Sequence, residues 1–490
     1  MNTSNLQRAI NTYNLLLIIA CGMLHARPPG LAWIKTYGTK GMWNEFTSIQ
    51  QTSDQGFIIT GFTDIPNKQK EVWLFKVDSL GDSLWTRTFG GSSYEYGNEV
   101  QQTYDGGYII GGYTGSFGAG YSDVYLIKTD ANGDTLWTKT YGGSDFDVGE
   151  SVIQTKNGGY AIVGYTYSYG FGHINVYLIN TDPFGNLIWE KSYGGSMCNY
   201  GRAVKQSLDG GYIIAGLTNS YGAGDYDVYV IKTNTNGDTL WTRTYGGPKA
   251  DQGLDVELTM DGGYIIAGST TSFGVEKSKI YLIKIDSIGN KMWERTYERS
   301  EGCVAQSLRQ TNDCGFIITG WVNPSIDAYD VYIMKINGYG DSIWTITFGG
   351  VDWDYCRSII QTVDGGYIAV GMTGSFGPKG VNAFIIKTQS DIDTLGALIP
   401  ERSVFSSPNP FKSKIALHYM LPYVSTVQIT ISNILGAKTI TLLDDVELAG
   451  MHVVYWDGND SHGDNLPAGI YFCCMETSVF STIEKIIKLK

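Results

Sequence analysis

The chain has 490 residues, 63 of them glycine and 34 tyrosine, with a formal net charge of −13 and a pI of about 4.9. A protein this acidic, whose lysines and arginines are interspersed, lacks the basic surface that nucleic-acid binding requires. No internal apolar stretch is long enough to span a bilayer as a helix.

The N-terminal segment is typical of a targeting sequence. A lone Arg8 precedes the apolar run 14–20, which is too short to cross a membrane but suits the apolar region of a secretory signal peptide. We expect a signal peptide over residues 1–26, cleaved after Ala26. Residues 18–21 (Ile-Ile-Ala-Cys) also resemble the lipobox of bacterial lipoproteins, so acylation of Cys21 is the alternative.

A repeat of about 52 residues organises the chain from residue 31 to residue 389. A tryptophan recurs at this spacing, and so does a glycine that precedes an aromatic residue. The seven tryptophans are Trp33, Trp85, Trp137, Trp189, Trp241, Trp293 and Trp344. Two markers with one period predict seven copies of one unit, which indicates a solenoid, a propeller or an array.

Each copy is predicted to contain four short strands and no helix. In the copy that spans residues 123–166, β-rich runs alternate with glycine-containing turns and one longer loop at 142–149. Four strands in about 50 residues is the size of a propeller blade. The first copy begins with an isolated strand, 33–37, and the last copy lacks its fourth strand. We therefore expect an all-β, seven-bladed β-propeller over residues 31–389, closed by that N-terminal strand.

The two faces of such a propeller differ. We label the strands of a blade A to D outward from the axis, so that the D–A and B–C loops share one face, here called the loop face. The tight A–B and C–D turns share the other, the turn face, and are bound by glycine, as in Asp105-Gly-Gly107. Because the loops are longer and more varied, we expect function on the loop face.

A recurring hairpin motif, Asp-x-x-Gly-x-x-x-Trp, runs from Asp130 to Trp137 and from Asp78 to Trp85. It resembles the docking signature of pyrroloquinoline-quinone-type propellers, although it is one residue shorter, and it does not align with the sialidase Asp-box. We interpret it as a structural hairpin whose tryptophan docks blade on blade, which indicates a fold and no chemistry. The repeats as a whole resemble the propellers of secreted bacterial proteins.

The period ends after residue 389. Residues 390–402 are predicted to be a linker, and residues 403–490 a small immunoglobulin-like β-sandwich of about seven strands. Five motifs follow in order: Asn-Pro-Phe at 409–411, Ile-x-Asn-Ile-Leu-Gly at 431–436, Gly-x-His-x-x-x-Trp-Asp-Gly at 450–458, Gly-Ile-Tyr-Phe at 469–472, and a lysine-rich end at 485–490.

This order closely resembles the type A C-terminal sorting domain of type IX secretion. A flagellar-hook-cap immunoglobulin-like module shares part of the pattern. The resemblance implies that the type IX export machinery recognises residues 403–490 and carries the protein across the outer membrane, for release or anchoring at the surface.

The sequence contains few groups of residues that could form a catalytic site. His173 is the only histidine of the repeats, which excludes a histidine-rich zinc site and leaves almost nothing for a histidine-based triad; we interpret it as a solvated loop residue. The sequence has no phosphate-binding loop and no Gly-x-Ser-x-Gly elbow. The seven cysteines lack metal-binding spacing, so we expect them to be small buried residues. We predict no catalytic residue and no cofactor other than possible calcium.

Two positions form acidic rings on the loop face. The first residue of strand A gives Asn44, Glu95, Asp147, Asn199, Asp251, Cys303 and Asp354, and the first residue of strand C gives Glu71, Asp123, Asn175, Asp227, Lys279, Asp330 and Asn382. Such oxygen ligands suit calcium, for which the candidates are Glu95, Asp147, Asp251, Asp354, Asp123, Asp227 and Asp330. The structural interpretation, which we favour, is that these side chains cap loops by accepting backbone N–H groups.

Aromatic residues around these rings are the candidate binding residues: Tyr94, Tyr96, Phe146, Tyr200, Trp353 and Tyr355. We interpret the chain as a secreted or cell-surface, non-enzymatic propeller that binds a protein or glycan partner. One alternative is a polysaccharide hydrolase or lyase with acids such as Asp147 or Asp354 at the axis, and another is a passive spacer. An enzyme is expected to depart from the repeat sequence in one group of blades, with paired acids there. Blades 5 and 6 do depart from the repeat, at Lys279 and Trp321, but acidic residues are lost at these positions.

Overall fold

A computed structural model of the chain describes residues 28–66, 68–274, 277–298, 302–325, 328–391, 404–407, 409–421, 425–447, 450–477 and 481–490. The predicted signal peptide, Cys21 and most of the predicted linker lie outside these residues. The described elements are all β-strands. None of the described residues forms a helix with the length and apolar character needed to cross a bilayer.

Between residues 28 and 391, the described strands form seven four-stranded antiparallel sheets. The first four, from inner to outer strand, are β2 (Asn44–Gln51), β3 (Phe57–Asp64), β4 (Lys70–Val77), β5 (Ser83–Phe89); β6 (Glu95–Gln102), β7 (Tyr108–Thr114), β8 (Asp123–Thr129), β9 (Thr135–Tyr141); β10 (Asp147–Gln154), β11 (Tyr160–Thr166), β12 (Asn175–Thr181), β13 (Leu187–Tyr193); and β14 (Asn199–Gln206), β15 (Tyr212–Thr218), β16 (Asp227–Thr233), β17 (Thr239–Tyr245).

The remaining three follow the same order, except that the outer strand of the last sheet comes from the start of the chain. They are β18 (Asp251–Leu258), β19 (Tyr264–Thr270), β20 (Lys279–Ile285), β21 (Lys291–Tyr297); β22 (Cys303–Gln310), β23 (Phe316–Ser325), β24 (Ala328–Ile336), β25 (Ser342–Phe348); and β26 (Asp354–Gln361), β27 (Tyr367–Thr373), β28 (Asn382–Thr388), β1 (Leu31–Tyr37). Here β1 pairs antiparallel with β28, with Trp33 opposite Lys387.

Contacts between the sheets run in a circuit. Each innermost strand contacts the innermost strands of both neighbouring sheets, and β26 contacts β2, so the contacts return to their start. The middle strands are buried along almost their whole length, as in β8, because apolar side chains cover both of their faces. The outer strands alternate between exposed and half-buried residues, as in β9. Radially arranged four-stranded sheets of this kind are those of a β-propeller.

The tryptophan of each outer strand contacts the next sheet, as the hairpin motif predicts. A Cβ added to Gly81 would lie 2.7 Å from the Trp33 ring, and one added to Gly133 would lie 2.6 Å from the Trp85 ring. The Tyr37 hydroxyl donates to the carbonyl of Gly81 at 2.5 Å, and Tyr141, Tyr193, Tyr245 and Tyr297 make the equivalent bond. Only glycine fits here, because φ of Gly81 is +80° and the indole ring leaves no space for a side chain.

Ion pairs made by buried lysines connect strands and turns at the turn face. In six of the seven described sheets a strand-C lysine, 2–6% exposed at its side chain, bonds an A–B-turn aspartate at 2.7–3.0 Å. The lysines are Lys76, Lys128, Lys232, Lys284, Lys335 and Lys387, and the aspartates are Asp54, Asp105, Asp209, Asp261, Asp313 and Asp364. The remaining sheet has Asn180 and Asn157 instead, so both charges are absent together.

The described residues after 403 form a three-stranded and a four-stranded sheet. These comprise β29 (Val404–Ser407), β30 (Ile415–Leu421) and β33 (Gly450–Trp456), and β32 (Lys438–Glu447), β31 (Ser425–Asn433), β34 (Gly469–Thr477) and β35 (Ser481–Lys488). Both sheets contribute to one hydrophobic core. Motif residues supply its centre, where the Trp456 ring lies 5.4 Å from Phe411 and 5.2 Å from Tyr471.

Candidate functional site

The innermost strand of every propeller sheet carries a β-bulge at the same place. The register of β10, for example, shifts between Gly149 and Ser151, which leaves Glu150 as the extra residue. The seven bulged residues are Thr47, Asn98, Glu150, Arg202, Leu254, Gln306 and Arg357. All seven line one cavity along the channel between the inner strands. Bulges commonly re-aim side chains next to functional sites.

The channel opens on the loop face into a wider cavity of about 540 Å³. We call it the channel-mouth cavity, and it is lined by Glu150, Arg202, Ala250, Gln252, Leu254, Ser269, Thr271, Ser278, Val304, Gln306, Trp321 and Arg357. Its volume lies within the range of about 300–1,000 Å³ that is usual for small-molecule sites. Most of its wall comes from the fifth and sixth sheets, where the sequence repeat deviates.

The charges at the cavity compensate one another. Arg202 forms an ion pair with Glu150, and Arg357 donates from Nε to Glu45 Oε1 at 2.6 Å. Aromatic rings support both guanidinium groups: Arg202 lies 5.6 Å from the Tyr200 ring and Arg357 lies 5.8 Å from the Tyr355 ring. The cavity therefore presents paired charges, with little net field for a strongly ionic ligand.

Three neutral side chains at the cavity have polar atoms that are available for hydrogen bonding. Gln252, Gln306 and Trp321 are each half-buried, and the described part of the chain gives none of their side chains a hydrogen-bond partner. Trp321 takes part in edge contacts with Tyr329 at 4.9 Å and Tyr355 at 6.2 Å. Two carboxamides beside an anchored indole offer donors, acceptors and a flat apolar surface in one place.

The six aromatic candidates lie outside this lining. Tyr96 stacks on Tyr113 at 4.9 Å, with Tyr94 at its edge. Phe146 stacks on Tyr121 at 5.2 Å. Two of the six support the site indirectly, since Tyr200 and Tyr355 pack against its arginines; Phe146 and Trp353 are 40% and 50% exposed.

The two acidic rings meet pairwise at the junctions between neighbouring blades. The strand-C residue of one blade and the strand-A residue of the next lie against one glycine of the D–A loop, which we call the junction glycine. A Cβ on Gly142 would lie 2.4 Å from Asp123 Oδ1 and 2.6 Å from Asp147 Oδ2. The same geometry recurs for Glu71–Glu95, Asn175–Asn199, Asp227–Asp251 and Asn382–Asn44.

The strand-A aspartates are buried and tie loops together. Asp147 is 0% exposed, and its Oδ2 accepts from the Gly143 N–H and from the Ser168 hydroxyl, both at 2.7 Å. Asp251 and Asp354 make the matching bonds. None of the three lines the channel-mouth cavity.

One oxygen of each buried aspartate lacks a partner. Oδ1 of Asp147, Asp251 and Asp354 has no hydrogen-bond partner in the described structure. On the opposite side of each junction, burial and then the charge of the facing aspartate raise the pKa of Asp123, Asp227 and Asp330. No group of three or more histidine, cysteine, aspartate or glutamate side chains among the described residues is arranged to hold a metal ion.

The remaining candidates have no site geometry. His173 is exposed on its loop. The described cysteines form no disulfide with one another. The bulged residues Arg202, Gln306 and Arg357, in contrast, were not among the predicted site residues. One signal could have found them, because the fourth position of strand A holds six residue types in seven copies while its neighbours repeat.

No protein-family model matches the sequence, and no curated protein shows a significant match. Solved structures that resemble the chain include PorZ of Porphyromonas gingivalis, an essential bacterial surface component of the type-IX secretion system, with 10% identity and a TM-score of 0.30 over 89% of this chain and 69% of PorZ. The Pan2 WD40 domain of Neurospora crassa has 12% identity and a TM-score of 0.36 over 58% and 86% of the two chains.

Endo-1,5-α-L-arabinanase from Thermotoga petrophila has 12% identity and a TM-score of 0.31 over 70% of this chain and 98% of the enzyme. At these identities and scores, none of the three structures assigns an activity or a partner to this chain. The propeller assignment rests on the strand pairing and on the circuit of inner strands.

Proposed function

We propose that this chain is a secreted or cell-surface, non-enzymatic, seven-bladed β-propeller that binds a neutral glycan in the channel-mouth cavity. Seven sheets joined in a circuit support the blade count. The main support for this function is that Gln252, Gln306 and Trp321 line the cavity with side chains that make no hydrogen bond in the described structure. The two arginines of the cavity, in contrast, already form ion pairs with glutamates.

The chemistry of these three side chains favours a neutral sugar over an ionic ligand. Carboxamides donate to and accept from hydroxyl groups, and an indole face packs against the apolar face of a sugar ring. A uronic acid or another anionic ligand would have to compete with Glu150 and Glu45 for the arginines. A protein partner remains the second source of such contacts and is an outcome of the test.

Export is part of the same proposal. Residues 403–490 act as an immunoglobulin-like sorting domain for type IX secretion, and residues 1–26 direct the chain to the periplasm. The ordered motifs support this role, since their residues Phe411, Trp456 and Tyr471 belong to the buried core of the described sheets. Deleting residues 403–490 in a host with that system should leave the protein in the periplasm, and surface display of the deleted form would contradict the sorting role.

The binding test uses the full chain on an array of neutral hexasaccharides of glucose, xylose and mannose, with oligogalacturonate as the acidic comparator and surface proteins of the host as a second panel. We expect a neutral hexasaccharide to bind and W321A to weaken it at least about tenfold, which corresponds to about 1.4 kcal/mol. W353A is the matched control, because Trp353 is exposed on the same face but lies outside the cavity.

Three results would contradict the proposal. Binding only to protein would reject the glycan, and loss of binding in W353A but not in W321A would move the site away from the cavity. Release of new reducing or unsaturated ends from a bound polysaccharide, abolished by E150Q, would favour the hydrolase or lyase alternative, because Glu150 is the only acid that lines the cavity in the described structure.

A further inference from the structure

Glutamine side chains of the inner strands join neighbouring sheets at the turn face. At six of the seven boundaries between the described propeller sheets, the glutamine that ends an inner strand accepts a backbone N–H from the A–B turn of the adjacent sheet. Gln154 Oε1, for example, accepts from the Tyr104 N–H at 2.9 Å. We call this bond the glutamine clasp, and its distances are 2.9–3.0 Å. The six glutamines are Gln51, Gln102, Gln154, Gln206, Gln310 and Gln361.

The boundary between the fourth and fifth sheets lacks the glutamine clasp. Leu258 ends the fifth inner strand, and its side chain has no atom that can accept a hydrogen bond. The clasp would engage the N–H of Leu208, which has no hydrogen-bond partner in the described structure and belongs to a residue that is 81% exposed. One of seven equivalent positions is therefore not joined by this bond.

A second set of bonds between inner strands is interrupted at the same boundary. At the fifth position of four inner strands, a side-chain oxygen accepts the N–H of the sixth residue in the next inner strand, at 2.9–3.4 Å. These acceptors are Ser48, Glu99, Ser151 and Asp255. The fourth sheet has Ala203 at this position, which offers no acceptor. The N–H of Val256 instead bonds Asp255 Oδ1 of its own strand, at 2.8 Å.

The fourth and fifth inner strands are held by less directional contacts. An apolar cluster that includes Ala203 and Val256 lies between the two sheets. Lys205 Nζ lies 3.4 Å from Glu257 Oε2, whereas at the next boundary an arginine lies 2.6 Å from an aspartate oxygen. Because apolar packing is not directional, few contacts at this boundary fix the alignment of the two inner strands.

The channel-mouth cavity spans this boundary. Its wall includes Arg202 from the fourth inner strand and Gln252 from the fifth. The outer strands remain joined, since the Tyr245 hydroxyl donates to the Gly289 carbonyl at 2.7 Å. The missing bonds therefore weaken the boundary at the inner strands, and a ligand in the cavity would contact both of these strands.

We propose that the circuit of sheets opens between the fourth and fifth inner strands, and that a ligand in the channel-mouth cavity favours the closed form. Local opening occurs where the fewest interactions have to break. The role of the ligand rests on the proposed function. A ligand that contacts Arg202 and Gln252 together binds only when the two strands are adjacent, so binding shifts the population towards closure.

The test measures the labelling of a buried cysteine in the folded full chain by a thiol reagent. A215C places a thiol between the fourth and fifth sheets, and A267C is the matched control at the same strand position between the fifth and sixth. Both alanines are 0% exposed, so labelling requires opening. Peptide-resolved mass spectrometry separates these thiols from the native cysteines. After correction for the free energies of unfolding in urea, we expect A215C to be labelled at least about tenfold faster.

A reciprocal variant copies the unclasped arrangement at the control boundary. Q310L removes the acceptor of the Met260 N–H. It should raise the labelling rate of A267C about three- to tenfold, as expected for the loss of one hydrogen bond, and leave that of A215C unchanged. A neutral hexasaccharide retained on the array should slow the labelling of A215C but not that of A267C.

The outcomes separate the opening from the proposed function. Equal labelling of A215C and A267C, or no response of A267C to Q310L, would overturn the opening. A bound hexasaccharide that leaves the labelling of A215C unchanged would overturn its coupling to the cavity. Absence of hexasaccharide binding would contradict the proposed function instead, and the comparison without ligand would still decide where the circuit opens.

Discussion

The turn face and the loop face of the propeller both bury charged groups, but in opposite ways. On the turn face a buried lysine meets an aspartate in six of seven described sheets, and where the charges are missing both are missing. On the loop face three junctions pair aspartate with aspartate and leave an oxygen of Asp147, Asp251 and Asp354 without a partner. The turn face thus pairs opposite charges, whereas these loop-face junctions bring like charges together.

The two faces should therefore respond to pH with opposite sign. Burial alone would raise the pKa of Asp105, but the Thr103 hydroxyl and the Lys128 ammonium lower it. The equivalent lysines help to lower the pKa of the other turn-face aspartates. A lowered pKa contributes stability above the unfolded value, and this is lost on acidification. The loop-face aspartates with raised pKa lose stability on alkalinisation instead.

The largest effect is expected where a complementary pair is broken. K335A leaves Asp313 without the ammonium that bonds it at 2.7 Å, in a site where the two side chains are 2% and 13% exposed. We expect a loss of about 3–5 kcal/mol in the free energy of unfolding, measured with urea, because an uncompensated charge stays buried.

The double variant K335N/D313N is the control, since it copies the Asn180–Asn157 arrangement of the third sheet. It should recover most of the loss, because removing both charges avoids the unpaired ion. A double variant as unstable as K335A would mean that the pair contributes through packing rather than charge.

A smaller difference in stability is expected between substitutions of glycines on the two faces. Gly142 has φ of +155° and its added Cβ would collide with Asp123 and Asp147, whereas Gly106, at φ of +83°, has open space. We expect G106A to cost about 1–2 kcal/mol from backbone strain, and G142A about 2–4 kcal/mol because overpacking is added. Equal losses in urea unfolding would show that the surroundings of Gly142, a junction glycine, tolerate expansion.

The smallest effect on stability is expected at the channel-mouth cavity. The Arg202–Glu150 pair is partly exposed, at 32% and 19%, so E150Q should change the free energy of unfolding by less than about 1 kcal/mol. Its effect should appear in binding, because Arg202 loses its counter-charge and gains affinity for oligogalacturonate. Unchanged selectivity between neutral and acidic oligosaccharides would contradict the role of paired charge.

The propeller was predictable because its signals are periodic. Trp33 and Trp85 recur with the blade length, and the unpaired strand 33–37 predicts the pairing with β28 that is observed. Blade docking follows from the same hairpin, since Trp33 packs on Gly81. Repetition averages out the local ambiguity that limits most sequence-based interpretations.

The candidate site was less predictable because it depends on departures from the repeat. The acids Asp123 and Asp147 were identified, but their spacing along the chain does not show that they meet at one glycine. Arg202 and Gln306 were missed because each is the extra residue of a β-bulge, which directs its side chain into the channel. The residue type alone does not predict such a bulge. Which acids meet, and which side chains a bulge directs into the channel, depend on the register of the strands in the folded protein.

Hydrogen–deuterium exchange of the full chain, with and without a neutral hexasaccharide retained on the array, tests the central claim most directly. Binding in the channel-mouth cavity should slow exchange of amides in 250–254, 269–271 and 304–306, with turn-face amides such as those of 105–107 unchanged. Slowing confined to the turn face, or to the outer strands, would contradict the assignment of function to the loop face.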